Sequence, residues 1–127
     1  MAAAQNIVVK RIYEPADAGD GARFLVDRLW PRGVSKDKAA LTAWLKALAP
    51  SSALRVHFHD EGGAAADGAW NAFRRDYFAE LDAGGADVAA ALDQLRAVKG
   101  RATLLYGAKD PERNNATALL EWLRRGG

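Results

Sequence analysis

The run RATLLYGA, residues 101–108, is short and almost wholly apolar. A strand with water on one face alternates apolar and polar side chains, whereas a strand covered on both faces does not. The run therefore predicts a strand inside a sheet that is packed on both sides. Upstream of it, Val88, Ala91, Leu92 and Leu95 recur at helical spacing, with Gly100 as the stop. Downstream, KDPERNNATALLEWLRR (109–125) predicts a helix with Asp110 as N-cap and Pro111 at its first position. Its expected buried stripe is Ala116, Leu119, Leu120 and Leu123.

The same pattern of strand and helix runs back to the start of the chain. NIVVKRIY (6–13) is β-branched and partly alternating, so it reads as a strand, and EPADAGDG (14–21) as a loop. ARFLVDRLW (22–30) is a second strand, with Phe24 and Val26 pointing to one face and Leu25, Asp27 and Leu29 to the other. Ser35 is the expected cap of a helix carrying Leu41, Trp44, Leu45 and Leu48 on one stripe and ended by Pro50. Ser51 begins a short helix with Leu54 and Phe58 four apart, EGGAAADG (61–68) is a loop, and Trp70, Phe73, Tyr77 and Leu81 mark a further helix that stops at Gly84-Gly85. Strands separated by helices predict one α/β domain over residues 1–127: a small three-layer, Rossmann-like unit with a mainly parallel sheet flanked by helices. Three strands are the minimum, with room for a fourth inside a segment that reads as helix, and strand order is left open.

Composition narrows the classes of function. Half of the 127 residues are hydrophobic, with four Trp and four Phe, enough for a core without disulfides. The absence of cysteine excludes thiolate nucleophiles and Cys-ligated metals and fits a reducing compartment. No apolar run approaches a membrane span, and MAAAQNIVVK lacks the order of a signal peptide, so a cytoplasmic protein without membrane contact is expected. Eighteen Lys plus Arg against 16 Asp plus Glu leave +2 net charge, too little for general nucleic-acid binding; any anion affinity must come from local clusters.

Local clusters are what the strand exits offer. In open α/β sheets ligands bind outside the carboxyl ends of the strands. The first exit gives Arg11 and Tyr13, the second Arg28, Trp30 and Arg32, and the third Tyr106, Lys109 and Asp110, with Asn114 and Asn115 one turn further. The arginine fork suits a phosphate or carboxylate and stays charged when half-buried. Arg11, Arg28, Arg32 and Lys109 are therefore candidate anion ligands, Trp30 and Tyr106 candidate stacking surfaces, and Asp110 and Asn114 candidate orienting groups. HFHD (57–60) raises the question of a metal or a general base. On a helix His57 and His59 diverge, and no third histidine exists, so no metal and no cofactor are expected. If a reaction occurs, His59 and Asp27 are the candidates for proton transfer. There is no Gly-x-Ser-x-Gly and no Gly-rich phosphate loop.

The blocks VDRLWPRG and TLLY-x-AKD, together with WLKALAPSSALRVHFHD and FRRDYFAEL, resemble the YeaO-like family of bacterial proteins, domain of unknown function 488. The resemblance covers nearly the whole chain and implies a small α/β domain; it brings no established activity. Its pattern carries over Arg11, Asp27, Arg28, Trp30, Arg32, Arg55, Phe58, His59, Tyr77, Tyr106, Lys109, Asp110 and Asn114, among others. His57 departs from it, standing where the family has an aromatic, and the 61–68 loop looks longer and richer in Gly and Ala. The expected function is a strand-end crevice that binds a small anionic ligand, nucleotide or phosphate-like. The alternative is a non-catalytic regulatory or partner-binding module with the Arg/Trp cluster as its interface.

Overall fold

A computed structural model of the chain describes residues 6–126. The opening residues 1–5, part of the stretch read for a signal peptide, lie outside the described residues. Four parallel strands form one sheet in the order β1-β4-β2-β3: β1 (Ile7–Arg11), β2 (Ala22–Leu25), β3 (Ala43–Trp44) and β4 (Ala102–Tyr106). The helices are α1 (Lys36–Ala39), α2 (Ser52–Asp60), α3 (Asp67–Asp82), α4 (Gly85–Arg96) and α5 (Asn115–Arg124). No helix among the described residues is long and apolar enough to cross a membrane.

The run 101–108 explains this architecture. β4 lies between β1 and β2, with Leu104 opposite both Val9 and Phe24. All five of its residues are buried. Alternation sends Leu104 and Tyr106 to the larger core, with Phe24, Val26, Phe73, Tyr77 and Leu119, and sends Leu105 to a smaller one with Ile12, Leu25 and Ala39. The sheet is thus covered on both faces, as its apolar central strand requires, but unequally. Helices α3, α4 and α5 contribute to the large core, and the small one is closed by Ala39 of α1 with Trp30, Val34, Leu41 and Trp44.

Several expected boundaries shift. The Ser35 side chain does accept from Lys38 N, yet the helix lasts one turn and ends at Ala40, whose φ of 47° is left-handed. Beyond it Ala43–Trp44 pairs with β2 and Lys46–Leu48 forms a 3-10 turn, so the fourth strand does lie inside the segment that reads as helix. The apparent stripe divides between layers: Leu45 and Leu48 enter the large core, Leu41 and Trp44 the small one. Period 3.6 cannot distinguish that split from one helical face. The second strand ends at Leu25, five residues earlier than expected, because Asp27 turns away toward other elements. At the third exit the helix begins at Asn115, not Pro111. Asn114 is the N-cap, its side chain accepting from Thr117 N while Thr117 Oγ1 accepts from Asn114 N. Asp110 makes its own turn, accepting from Glu112 N and Arg113 N.

Tyr77 of α3 connects the helical layer to the turn after β3. Its ring is fully buried and its hydroxyl donates to the Leu48 carbonyl. Burial, reinforced by the charges of Asp27 and Glu80, pushes its pKa far above the usual phenol range, so it remains a donor. Tyr77→Phe leaves that carbonyl without its partner and is expected to cost about 1–3 kcal/mol, read as a lower urea midpoint with an unchanged slope.

Candidate functional site

β2 and β4 are neighbours, so their carboxyl ends open onto the same place. β2 runs out into Asp27, Arg28 and Leu29, and β4 into Gly107 and Ala108. Above them stand Arg55, Phe58 and His59 of α2, Phe73 of α3, and Arg113, Asn114 and Asn115 where α5 begins. Together with Pro50 these residues line a cleft of about 350 Å³.

Asp27 forms the base. One carboxylate oxygen accepts from Gly107 N at 2.9 Å and the other from Asn115 Nδ2 at 2.9 Å, while its own carbonyl accepts from Trp44 Nε1 at 2.7 Å. Asn115 Nδ2 also reaches the Val26 carbonyl at 2.9 Å. One side chain therefore connects the ends of β2 and β4 to the first residue of α5. Burial raises the Asp27 pKa above the usual carboxylate range; the bonds from Asn115 and Gly107 and the charge of Arg55 oppose the rise without cancelling it.

The cations around the cleft differ in how far they are neutralised. Arg28 donates from Nε to the Pro50 carbonyl at 3.0 Å and from Nη2 to the Ala49 carbonyl at 3.5 Å. Those contacts fix its head without cancelling its charge. Arg55, exposed on α2, makes no side-chain hydrogen bond and no direct ion pair among the described residues, though its charge is felt at Asp27. Arg113 is held by Asp67 at 2.8 Å and by the Ala64 carbonyl at 3.1 Å, which fastens the 61–68 segment to the rim. His59 also stands at the rim, its side chain 91% exposed.

The exits thus bring together only part of the expected set. Asp27, Arg28, His59 and Asn114 line the cleft; Arg11, Trp30, Arg32, Tyr106, Lys109 and Asp110 do not. Arg11 donates to the carbonyls of Ala108 and Gly107 and lies over the Tyr13 ring. Trp30 sits edge-on to Trp44, centroids 5.5 Å apart, with Nε1 donating to the Val34 carbonyl. Arg32 is exposed, its carbonyl accepting from the Tyr13 hydroxyl, and Lys109 is exposed as well. Tyr106 is buried in the large core; burial first, then the Glu14 and Asp110 charges, raise its phenol pKa against Arg11 and Asn114. Asn114 caps its helix and donates to the Asp110 carbonyl, so its side chain is committed to the turn.

Arg55, Phe58 and Arg113 were not among the residues expected from strand exits. Arg55 lies on a polar helix face that charge patterning assigns to solvent. Only its place in the family pattern pointed to it.

A model of the inactive DUF488-N3 subclade matches residues 6–126. Uncharacterized protein YeaO of Escherichia coli (strain K12) is 45% identical over 119 residues, covering 94% of this chain and 97% of that protein. Uncharacterized protein Rv3073c of Mycobacterium tuberculosis (strain H37Rv) is 34% identical over 120 residues, with 93% of each chain covered. Uncharacterized protein Mb3100c of Mycobacterium bovis has the same identity and coverage. No solved structure matches the chain significantly.

Proposed function

The chain belongs to the DUF488-N3i family, the inactive DUF488-N3 subclade, and from that premise we propose that the cleft binds a small anionic ligand without turning it over. The observation that carries this reading is the pair Arg28 and Arg55. Both line the cleft, and neither forms an ion pair with a carboxylate among the described residues. Arginines on a protein surface commonly find a carboxylate. Two that meet no carboxylate directly, with Asp27 acting on Arg55 only through space, suit phosphate or carboxylate, which the guanidinium fork grips with two parallel bonds.

Binding without turnover is supported by what the candidate acid and base are doing. Asp27 gives an oxygen to Gly107 and another to Asn115, a positioning role. His59 points into solvent and pairs only loosely with Asp60, at 3.9 Å. Both Asp27 oxygens are thus taken by structural donors and His59 has no close partner to orient it, so neither is pre-positioned as a general acid or base. A net charge of +2 leaves nucleic acid the less favoured partner.

The test is calorimetric titration of the protein with phosphate, sulfate and acetate, checked by thermal shift. A ligand at a hundred times its dissociation constant adds about 2.7 kcal/mol of stability. Arg55→Ala is expected to weaken binding by about 10- to 100-fold, the value of a charge-assisted hydrogen bond of about 1.5–3 kcal/mol. Because Arg55 is exposed, the fold survives the change. Arg32→Ala and Lys109→Ala, outside the lining, leave affinity unchanged. Equal affinities for wild type and Arg55→Ala would remove the arginines from the site.

A further inference from the structure

The cleft lining is mixed, and only part of it is explained by an anion. Beside Arg28 and Arg55 it includes Leu29, Pro50, Phe58 and Phe73, with Phe58 one turn after Arg55 on α2. Phe58 and Phe73 have ring centroids 4.6 Å apart with planes tilted by 32°, and Trp70 stacks on Phe73 at 5.7 Å and 17°. Phe73 is buried at 3% exposure, so the half-buried Phe58 forms the part of this aromatic layer nearest the opening. Leu29 is 59% exposed. A single exposed leucine needs no explanation; one that lines a cleft together with a phenylalanine and two arginines presents a surface for an apolar group.

Size points the same way. A cleft of about 350 Å³ lies within the range of small-molecule sites, roughly 300–1,000 Å³. A bare phosphate or acetate would occupy a minor share of it and leave the aromatic wall wet. Tyr13, Trp30 and Tyr106, the aromatic residues at the strand exits, lie outside the lining, so Phe58 is the ring in position to stack.

We propose that the anion taken by this cleft carries a flat apolar ring, packed against Phe58 and Leu29 while its charged group meets Arg28 and Arg55. The proposal rests on the anion-binding reading above. Aryl acids and nucleoside monophosphates share this chemistry. Offset or edge-on packing of one ring on another adds to simple area burial.

The experiment compares matched probes on the full chain: acetate with benzoate, inorganic phosphate with phenyl phosphate, and ribose 5-phosphate with adenosine monophosphate. Each ring-bearing member is expected to bind at least roughly tenfold more tightly than its ringless partner. Phe58→Leu, which keeps the position apolar, and Leu29→Ser, at an exposed position that the core does not use, should each shrink that ratio toward one. A preference confined to the third pair assigns the ring to a nucleotide, and one across all three to aryl anions generally. Equal affinities within every pair overturn the proposal and leave the anion site standing, as does a preference that survives both variants. Failure of every probe to bind overturns the anion site as well.

Discussion

Asp20→Ala lowers the stability of the domain by about 3–5 kcal/mol, the usual consequence of leaving a buried charge without its partner. Arg23, only 4% exposed, lies on the small-core face of β2. Its Nε and Nη2 donate to the Ala39 carbonyl at 3.0 and 2.9 Å, and Nη1 is paired with Asp20. Lys10 of β1 reaches the same carboxylate at 3.0 Å, and Asp17 N donates to it at 3.0 Å. Removing the carboxylate strands a guanidinium that cannot reach water, whereas Lys10 is exposed enough to find solvent. Arg23→Met placed on the Asp20→Ala background should therefore recover part of the loss, since no orphan charge then remains. Burial pushes the Asp20 pKa up, but Lys10, Asp17 N and Arg23 together outweigh it and hold the carboxyl below its ordinary value of 3.8. A depressed folded pKa contributes stability that is present above the unfolded value and lost as pH falls through the folded one. The gap between wild type and Asp20→Ala should accordingly be full at neutral pH and narrow below about pH 3.8. Urea denaturation of both proteins across that range measures it, and a gap that widens in acid would refute the assignment.

How much of this was legible depends on whether a residue's partner is local. The apolar run at 102–106 announces a strand covered on both faces, because that requirement acts on every residue within it. The stripe Phe73, Tyr77, Leu81 likewise identifies α3 without outside information. Residues 35–50 mislead because Leu41, Trp44, Leu45 and Leu48 serve two cores on opposite sides of a sheet edge, and their spacing happens to match one helical face. At 110–115, Asp110-Pro111 and Asn114 are both good local starts for a helix. The choice falls to Asn114, where a reciprocal bond with Thr117 completes a capping box and Asn115 is left to meet Asp27 from β2.

The site was legible to a similar depth. Strand exits located Asp27 and Arg28 because β2 and β4 end side by side, but strand order is not written in a single strand. Without it, the face on which the cleft opens is undetermined. Arg11 and Trp30 are drawn by their side chains into contacts elsewhere, and Arg32 is left exposed. Arg55 arrives from α2, which is held over the strand ends by packing on α3, a helix–helix contact that no local pattern encodes.

Gly21→Ala is expected to cost about 3 kcal/mol or more, for two reasons that a second glycine separates. Gly21 has φ 66° and ψ −138°, a conformation that residues with a side chain avoid, and holding one there costs of order 1–3 kcal/mol. In addition, an added Cβ would lie 2.2 Å from the Arg101 carbonyl oxygen and 2.9 Å from its carbon. Both are backbone atoms, and that oxygen accepts from Ala22 N at 3.0 Å at the start of the β2–β4 ladder. The clash can be relieved only by moving one strand from the other, which disturbs the central pairing of the sheet. Gly33, in the turn after the Trp30-Pro31 corner, also has a positive φ, 79°, but nothing stands within 4 Å of where its Cβ would be. Gly33→Ala should therefore show the dihedral cost alone, about 1–2 kcal/mol. Denaturation midpoints of the two variants give the comparison directly: a clearly larger loss at Gly21 assigns the excess to the strand contact. Equal losses would mean that the sheet accommodates the methyl group and that close approach at Arg101 is not what requires a glycine there.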